Sequence, residues 1–406
     1  MYSNFNLNDF ISTHVTERKE SLLTEDFKNN DEKLHQKING KSVLVIGGAG
    51  TIGSNYIKSV IKFNPKRLYV VDTNENGLTE LVRDLRSSDG CNIPADFITY
   101  PINFNDRVFE KIFRTFGYFD IVANFAAHKH VRSEKDIFSI EAMIENNVLR
   151  ARKLIDLLLE SPPEHFFCVS TDKATNPVNI MGASKKLMEE LIMAYSDKLY
   201  VTTARFANVA FSNGSLPLGF LERLNKRQPW SCPNGIRRFF VSPQESGEIC
   251  LIASVLGKSG DIFFPKLDME KDMKDFSQVA LALLASLGLE ADVCQTEDEA
   301  RQKAARLEYN FKKYPVYFFD SDTSGEKAFE EFYTENEELD MDSFAQLGIV
   351  KNSKKHKITD IDTIFVRLKA LFDSKNITKA DIVDILKIYL PDFDHIEKGK
   401  HLDQRM

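Results

Sequence analysis

The run Ser170-Thr171-Asp172-Lys173, followed by Asn179-Ile180-Met181-Gly182-Ala183-Ser184-Lys185, sets a carboxylate, an ammonium and a second lysine around one small pocket. Carboxyl groups and amines are the side chains that move protons in general acid–base catalysis. Met181 and Lys185 are four residues apart, a spacing that puts them on one face of a helix. Met181 is the odd member, because a thioether is neither an acid nor a useful base. A proton leaving a substrate hydroxyl there must go to another group, with Asp172 as the direct acceptor or Thr171 as a relay.

The elements that must hold these residues are legible in the surrounding pattern. From Lys41 onward, short β-rich apolar runs (Ser42 to Ile46, Arg67 to Val71, Ile121 to Asn124, Phe166 to Ser170, Tyr200 to Arg205) alternate with helical patterns. That alternation predicts βαβ units and a parallel sheet. Asp172 and Lys173 then follow a strand end, which is where ligands bind in open α/β sheets. The run Val43 to Ile46 leads straight into Gly47-Gly48-Ala49-Gly50-Thr51-Ile52-Gly53, after which the apolar period becomes helical through Tyr56, Ile57 and Val60. Gly47 permits the tight turn, Gly50 lets the backbone approach a pyrophosphate, and Gly53 lets the helix sit close to the strand, so that the N–H groups of the helix start, at Thr51 and Ile52, face the phosphates. Asp72 ends the second strand, where a carboxylate accepts from both ribose hydroxyls of the adenosine. Thr73 and Asn74 offer no arginine for a 2′-phosphate, so NAD is expected over NADP.

The long run Ser-Thr-Asp-Lys-Ala-Thr-Asn-Pro-Val-Asn-Ile-Met-Gly-Ala-Ser-Lys-Lys resembles the nucleotide-sugar 4,6-dehydratases of the extended short-chain dehydrogenase/reductase superfamily, in the polysaccharide-biosynthesis subgroup that carries Met-x-x-x-Lys in place of Tyr-x-x-x-Lys. Asn124-Phe125-Ala126-Ala127-His128-Lys129-His130-Val131, Arg205-Phe206-Ala207-Asn208-Val209, Asn213-Gly214-Ser215, Arg238-Phe239-Phe240-Val241-Ser242 and Gly325-Glu326-Lys327 extend the likeness over roughly residues 41 to 350. The resemblance implies a Rossmann-type doubly wound parallel sheet of α/β class, a smaller C-terminal substrate domain and added helices at both termini. It implies a bound NAD that takes hydride from C4 of the sugar and returns it to C6, because a C4 ketone makes the C5 proton acidic. Such a scheme needs a carboxylic acid group and a base with a lowered pKa at one site. By resemblance Asp172 is the acid toward the C6 hydroxyl, Lys173 the base at C5, Thr171 a partner of the C4 oxygen, and Lys185 the group on the nicotinamide ribose. By the same resemblance Asn103 lies at the adenine amino group, and the small residues Ala126 and Ala127 stand beside the nicotinamide ribose. Lys129, Asn208, Gly214, Ser215, Arg237, Arg238 and Lys327 are implied on the substrate side, and Asn147 supports the active-site backbone. Relatives carry an arginine before Pro-Gly-Glu-Lys, whereas this chain reads Asp322-Thr323-Ser324, so the base of the nucleotide stays open between UDP and another. Members with methionine are associated with retention of configuration at C5, and N-acetylglucosamine is the implied sugar. A 4-epimerase is the rival enzyme, disfavoured by the missing tyrosine. A silent NAD-binding assembly module is the rival of another class.

The organisation expected is a polar helical extension over residues 1–40, a dinucleotide-binding domain over 41–205, a mainly nucleotide-sugar-binding part over 206–350 with an inserted helix near 297–311, and a helical extension over 351–406. In that last part Ile361, Ile364, Phe365, Leu368, Leu371 and Phe372 share one face, and a second helix starts at Thr378 and repeats at Ile382, Ile385 and Leu386. These faces are expected to pack on the core or on another copy in a homo-oligomer, dimer or higher. No run approaches the 18 or so apolar residues that span a bilayer, and the polar N-terminus is unlike a signal peptide. Known relatives of the subgroup are often membrane-anchored, so this is a departure. The five cysteines are scattered without a Cys-x-x-Cys pair, which fits a reducing, cytoplasmic setting without disulfides or structural metal. His128 and His130 have no carboxylate partner in pattern, so no metal is expected. A net charge of -7 gives no general attraction to nucleic acid or anionic membrane.

Overall fold

A computed structural model describes residues 5–320, 330–351, 353 and 356–396. The β-rich runs become β1 (Ser42–Ile46), β2 (Arg67–Asp72), β4 (Ile121–Asn124), β5 (His165–Val169) and β6 (Val201–Ala204), joined by β3 (Asp96–Pro101). They lie in the order β3-β2-β1-β4-β5-β6, every pair parallel. β1, β4, β5 and β6 are buried at every residue, as parallel strands covered by helices on both faces must be. β3 was not foreseen. It is the edge strand, only half-buried, so its sequence carries a weaker apolar signal.

Among the described residues the sheet has nine strands, because the chain returns to it after β6. Ile262–Pro265 pairs parallel with β6, Leu347–Lys351 pairs antiparallel with that strand, and Glu338–Asp340 closes the edge. Residues 206–350 therefore do not form one separate substrate part. The helix Pro243–Leu256 lies against the helix Thr51–Val60, and a Cβ on Gly247 would stand 2.3 Å from the carbonyl carbon of Asn55. The remainder builds two small three-stranded sheets around Phe220, Trp230, Phe240, Leu283 and Tyr314. The inserted helix runs Glu297–Ala305, and the strand Lys313–Asp320 follows it.

The N-terminal segment is more than an appendage. Phe10, Ile11 and Val15 join the core of the small sheets, while Leu23, Leu34 and Ile38 join the core of the large one. Between them Arg18 bonds Glu245 at 2.8 Å and Asp272 at 2.9 Å. Asp26 accepts from the backbone N–H groups of Ala345 and Gln346 at 2.6 and 2.8 Å. The C-terminal helices, Ile358–Phe372 and Lys379–Tyr389, bury Ile361, Ile364, Leu368, Ile382 and Leu386 in the same cluster as Leu187 and Leu191. Thr378 caps the second helix in a reciprocal box with Asp381. Their faces thus cover this chain's own core, and the tail beyond them reaches the active-site loop, with Asp394 N–H on Pro177 O and Ile396 N–H on Val178 O at 3.2 and 3.0 Å. Among the described residues no helix is long and apolar enough to cross a membrane.

Candidate active site

The strand order reverses between β1 and β4, and the loops leaving these two strands meet there. Gly47 has φ +78°, and a Cβ on it would stand 2.6 Å from Ala126 N, so only glycine lets the first loop lie on the second. Gly53 faces Gly47 O in the same way, at 2.3 Å from a built Cβ, whereas a Cβ on Gly50 would meet nothing nearer than Gly47 O at 3.4 Å. The protein itself does not demand glycine at position 50. The open space above it is what a pyrophosphate approaching the backbone requires. Asp72 accepts from Ala49 N–H and from Asn74 N–H, both at 2.9 Å, so the acid at the end of β2 also fixes the glycine turn. Thr51 Oγ1 accepts from Asn213 N–H at 3.0 Å, and Ile52 follows in the first turn of the helix. Asn103 Oδ1 accepts from Asn105 N–H at 2.9 Å.

The loop after β4 is held by two asparagines. Asn124 Oδ1 accepts from Ala126 N–H at 3.0 Å, and Ala127 follows, half-buried. Asn147 accepts from His128 N–H at 2.8 Å and donates to His128 O at 2.9 Å and to Ser184 Oγ at 3.0 Å, the backbone support expected of it. Lys129 stands exposed on this loop. Gly214, at φ +74°, leaves room for His130, whose ring a Cβ there would approach to 2.9 Å. Ser215 caps the helix Leu216–Asn225, so its hydroxyl has a local task. Among the described residues no cluster of metal-ligating side chains occurs.

β5 delivers the central pair. Thr171 caps a single 3-10 turn, Asp172–Ala174, and donates to Asp172 Oδ1 at 2.7 Å. Asp172 is 2% exposed, and Lys173 Nζ lies 3.1 and 3.2 Å from its two oxygens. The helix Ile180–Ala194 sits against this turn because Gly182 has no side chain: a Cβ there would be 2.4 Å from Lys173 O. Gly182→Ala is therefore expected to lower stability by about 1–3 kcal/mol despite alanine's better helix propensity, which thermal unfolding by circular dichroism would measure. Met181 is buried, 1% exposed, with its N–H on Glu134 Oε1 at 3.0 Å. Its thioether belongs to the core.

Of Lys173 and Lys185, it is Lys185 whose pKa is lowered. Burial lowers Lys185, whose Nζ donates to Val169 O at 2.7 Å. For Lys173, burial acts in the same direction but is outweighed by Asp172 and Glu330, which hold it as an ammonium.

Glu330 is the residue that sequence reasoning left without a role. It is 6% exposed, accepts from Asn208 Nδ2 at 2.6 Å and Phe239 N–H at 3.0 Å, and lies 3.6 Å from both Lys173 Nζ and Arg238 Nε. Asn208 and Arg238, expected on the substrate, thus both turn to this carboxyl. Burial, then Asp172, push Glu330 up to about 7 against the pull of Lys173 and Arg238. Arg237 is exposed and reaches the carbonyls of Met269 and Met273. Lys327, with Gly325 and Glu326, lies outside the described residues. Behind the site, Arg205 is 1% exposed and joins Glu189, Glu337 and Phe332 O, while Glu189 accepts from Ser170 Oγ at 3.0 Å.

A doubly wound sheet with a glycine turn at its switch point and a carboxylate–lysine pair beyond the next strand defines the extended short-chain dehydrogenase/reductase class. Within it, the chain belongs to the polysaccharide biosynthesis protein family, whose profile matches residues 43–352. An uncharacterized membrane protein of Methanocaldococcus jannaschii is 34% identical over 252 residues, 60% of this chain and 72% of that one. The capsular polysaccharide biosynthesis protein CapD of Staphylococcus aureus is 29% identical over 262 residues, which are 63% of this chain but only 42% of CapD. A Campylobacter jejuni protein named UDP-N-acetylglucosamine 4,6-dehydratase (inverting) is 26% identical over 290 residues, 68% of this chain and 82% of that protein. Among solved structures, Pen from Bacillus thuringiensis matches the fold with a TM-score of 0.61 over 79% of this chain and 90% of that chain, at 19% identity.

Proposed function

We propose that this protein binds NAD and converts a UDP-linked N-acetylglucosamine to its 4-keto-6-deoxy form with loss of water and retention at C5. The observation that carries this reading is the ion pair of buried Asp172 and partly exposed Lys173 just beyond β5, at the same end of the parallel sheet as the glycine turn that follows β1. The glycine cradle fits the dinucleotide, and Asp72 favours NAD because its charge would repel a 2′-phosphate. When bound, NAD would supply the oxidation at C4 that makes the C5 proton acidic and the hydride that C6 takes up as water leaves.

Asp172 takes the C4 hydroxyl proton, directly or through Thr171, whose hydroxyl already bonds it. Lys173 removes the C5 proton and returns one there. Asp172 passes its proton to the departing C6 hydroxyl, so water leaves and both groups recover their starting state. Lys185 holds the nicotinamide ribose, and Asn147 fixes the loop that lines it. Arg237, Lys129 and Lys327 are the cations proposed for the diphosphate. The dehydratase name of the Campylobacter relative supports the reaction. Retention is read from Met181 in place of a tyrosine, which also disfavours a 4-epimerase.

Incubation with UDP- and GDP-N-acetylglucosamine, followed by mass spectrometry, should show loss of 18 mass units from the UDP sugar, and extraction of the purified protein should release NAD in excess of NADP. No mass loss from either sugar would remove the dehydratase reading. Bound NADP would overturn the part given to Asp72.

A further inference from the structure

Two carboxyl groups, from distant parts of the chain, meet at one lysine. Asp172 stands in the turn after β5, and Glu330 stands at the start of the described segment 330–351. Lys173 Nζ lies between them, 3.1 Å from Asp172 Oδ1 and 3.6 Å from Glu330 Oε1. Both carboxyl side chains are almost sealed, 2% and 3% exposed, while the lysine side chain keeps 29%. Among the described residues, the other charged group facing Glu330 is Arg238, from the strand Arg237–Val241; Asn208 and the Phe239 N–H are its neutral donors.

This geometry holds a tension. Asp172 and Glu330 repel each other when both are ionised, and among the described residues Lys173 and Arg238 are the cations that relieve it. Glu330 is therefore costly to ionise, and each negative charge it carries tightens the hold on the Lys173 proton. A lysine that must act as a base has to lose that proton first.

We propose that Glu330 is a positioning residue for proton transfer at Lys173: with Asp172 it sets the pH at which Lys173 gives up its proton. The catalytic consequence rests on the dehydratase reading, but the coupling itself does not. The Glu330 carboxyl, raised by its burial and by Asp172, is the second carboxyl group that bears on the Lys173 proton.

The test is competitive acetylation of the full chain with acetic anhydride at pH 8, reading Lys173 by mass spectrometry against Lys28, which is exposed on the helix Thr24–Ile38. Glu330→Gln removes the charge and keeps the hydrogen bonds, because Asn208 can turn its amide to accept from the new one. Loss of one nearby charge lowers a lysine by about one unit, so Lys173 should acetylate up to about tenfold faster relative to Lys28. Glu330→Asp keeps the charge and should stay within about twofold of the parent. In the turnover assay, the rising limb of the pH profile should move to lower pH in Glu330→Gln by the same amount.

An unchanged Lys173 rate in Glu330→Gln overturns the proposal. So does an equal rise in Glu330→Gln and Glu330→Asp, which would mark loosened packing instead of lost charge. If acetylation shifts as expected while no nucleotide sugar loses water, the coupling stands and the dehydratase reading falls.

Discussion

Asp172→Asn should abolish turnover, including the first oxidation at C4, whereas Lys173→Ala should still oxidise C4 and stop before water is lost. The difference follows from what each group touches. Asp172 accepts from the Thr171 hydroxyl at 2.7 Å, and in the proposed reaction it exchanges protons with the C4 and C6 oxygens. An asparagine there can no longer take a proton. Lys173 is needed only afterwards, for the proton at C5. Each lost acid or base function should cost about 10²–10⁴-fold in rate. Absorbance of the reduced cofactor, trapped in Lys173→Ala and missing in Asp172→Asn, separates the two, and so does deuterium uptake from solvent at C5. If Lys173→Ala releases water or exchanges the C5 proton at the parent's rate, Lys173 is not the base.

The largest effect on stability is expected at Arg205. Its guanidinium bonds Glu189 at 2.5 and 3.0 Å and Glu337 at 2.8 and 2.9 Å, all behind the turn that carries Asp172. Arg205→Met would strip Glu189, itself 1% exposed, of its main cation and leave it Lys186 at 3.3 Å and the Ser170 hydroxyl as partners, at a cost of up to about 3–5 kcal/mol. Urea unfolding at pH 7 measures this. Adding Glu189→Gln should recover part of the loss, since the stranded charge goes with it.

The same pair predicts a pH dependence. Burial alone would raise Glu189, but Arg205, Lys186 and the Ser170 hydroxyl outweigh it and hold the carboxyl at about 2, below its ordinary 4.5. A carboxylate with a depressed folded pKa contributes stability above its unfolded value and loses it as pH falls through the folded one. The parent's contribution from this carboxylate should therefore be full at pH 7 and be lost as pH falls from about 4.5 through about 2, so the gap to Arg205→Met should narrow as pH falls towards 2. A gap that stays constant across that window would show that lost packing, and not the ion pair, accounts for the change.

The correct expectations share a physical origin: they depend on residues near one another in the chain. The strand pattern of Val43 to Ile46, the glycines of the turn and the acid at Asp72 encode a strand, a turn and a helix start by local sterics and periodicity, and the structure has each of them. Thr171, Asp172 and Lys173 are consecutive, so a strand end brings them together whatever the rest of the molecule does. The Thr378 cap and the apolar faces of the C-terminal helices are local patterns of the same kind.

What the chain could not declare depends on contacts between distant segments. Glu330, one of a pair of adjacent glutamates, has the composition of a solvated surface residue until the fold sets it against Asp172, Lys173 and Arg238. Asn208 and Arg238 carry groups suited to a sugar phosphate, yet the tertiary structure places a closer partner beside both. The N-terminal helices read as an appendage because their apolar residues are sparse, and only Arg18 and Asp26, bonded to Glu245 and to the backbone near Gln346, reveal a clasp between the two parts. Sequence thus determined the chemical groups and the strand end that presents them. The charge on Lys173 was decided by the tertiary structure, because a lysine's proton answers to every carboxylate within a few ångströms, and the second of these arrives from the far end of the fold.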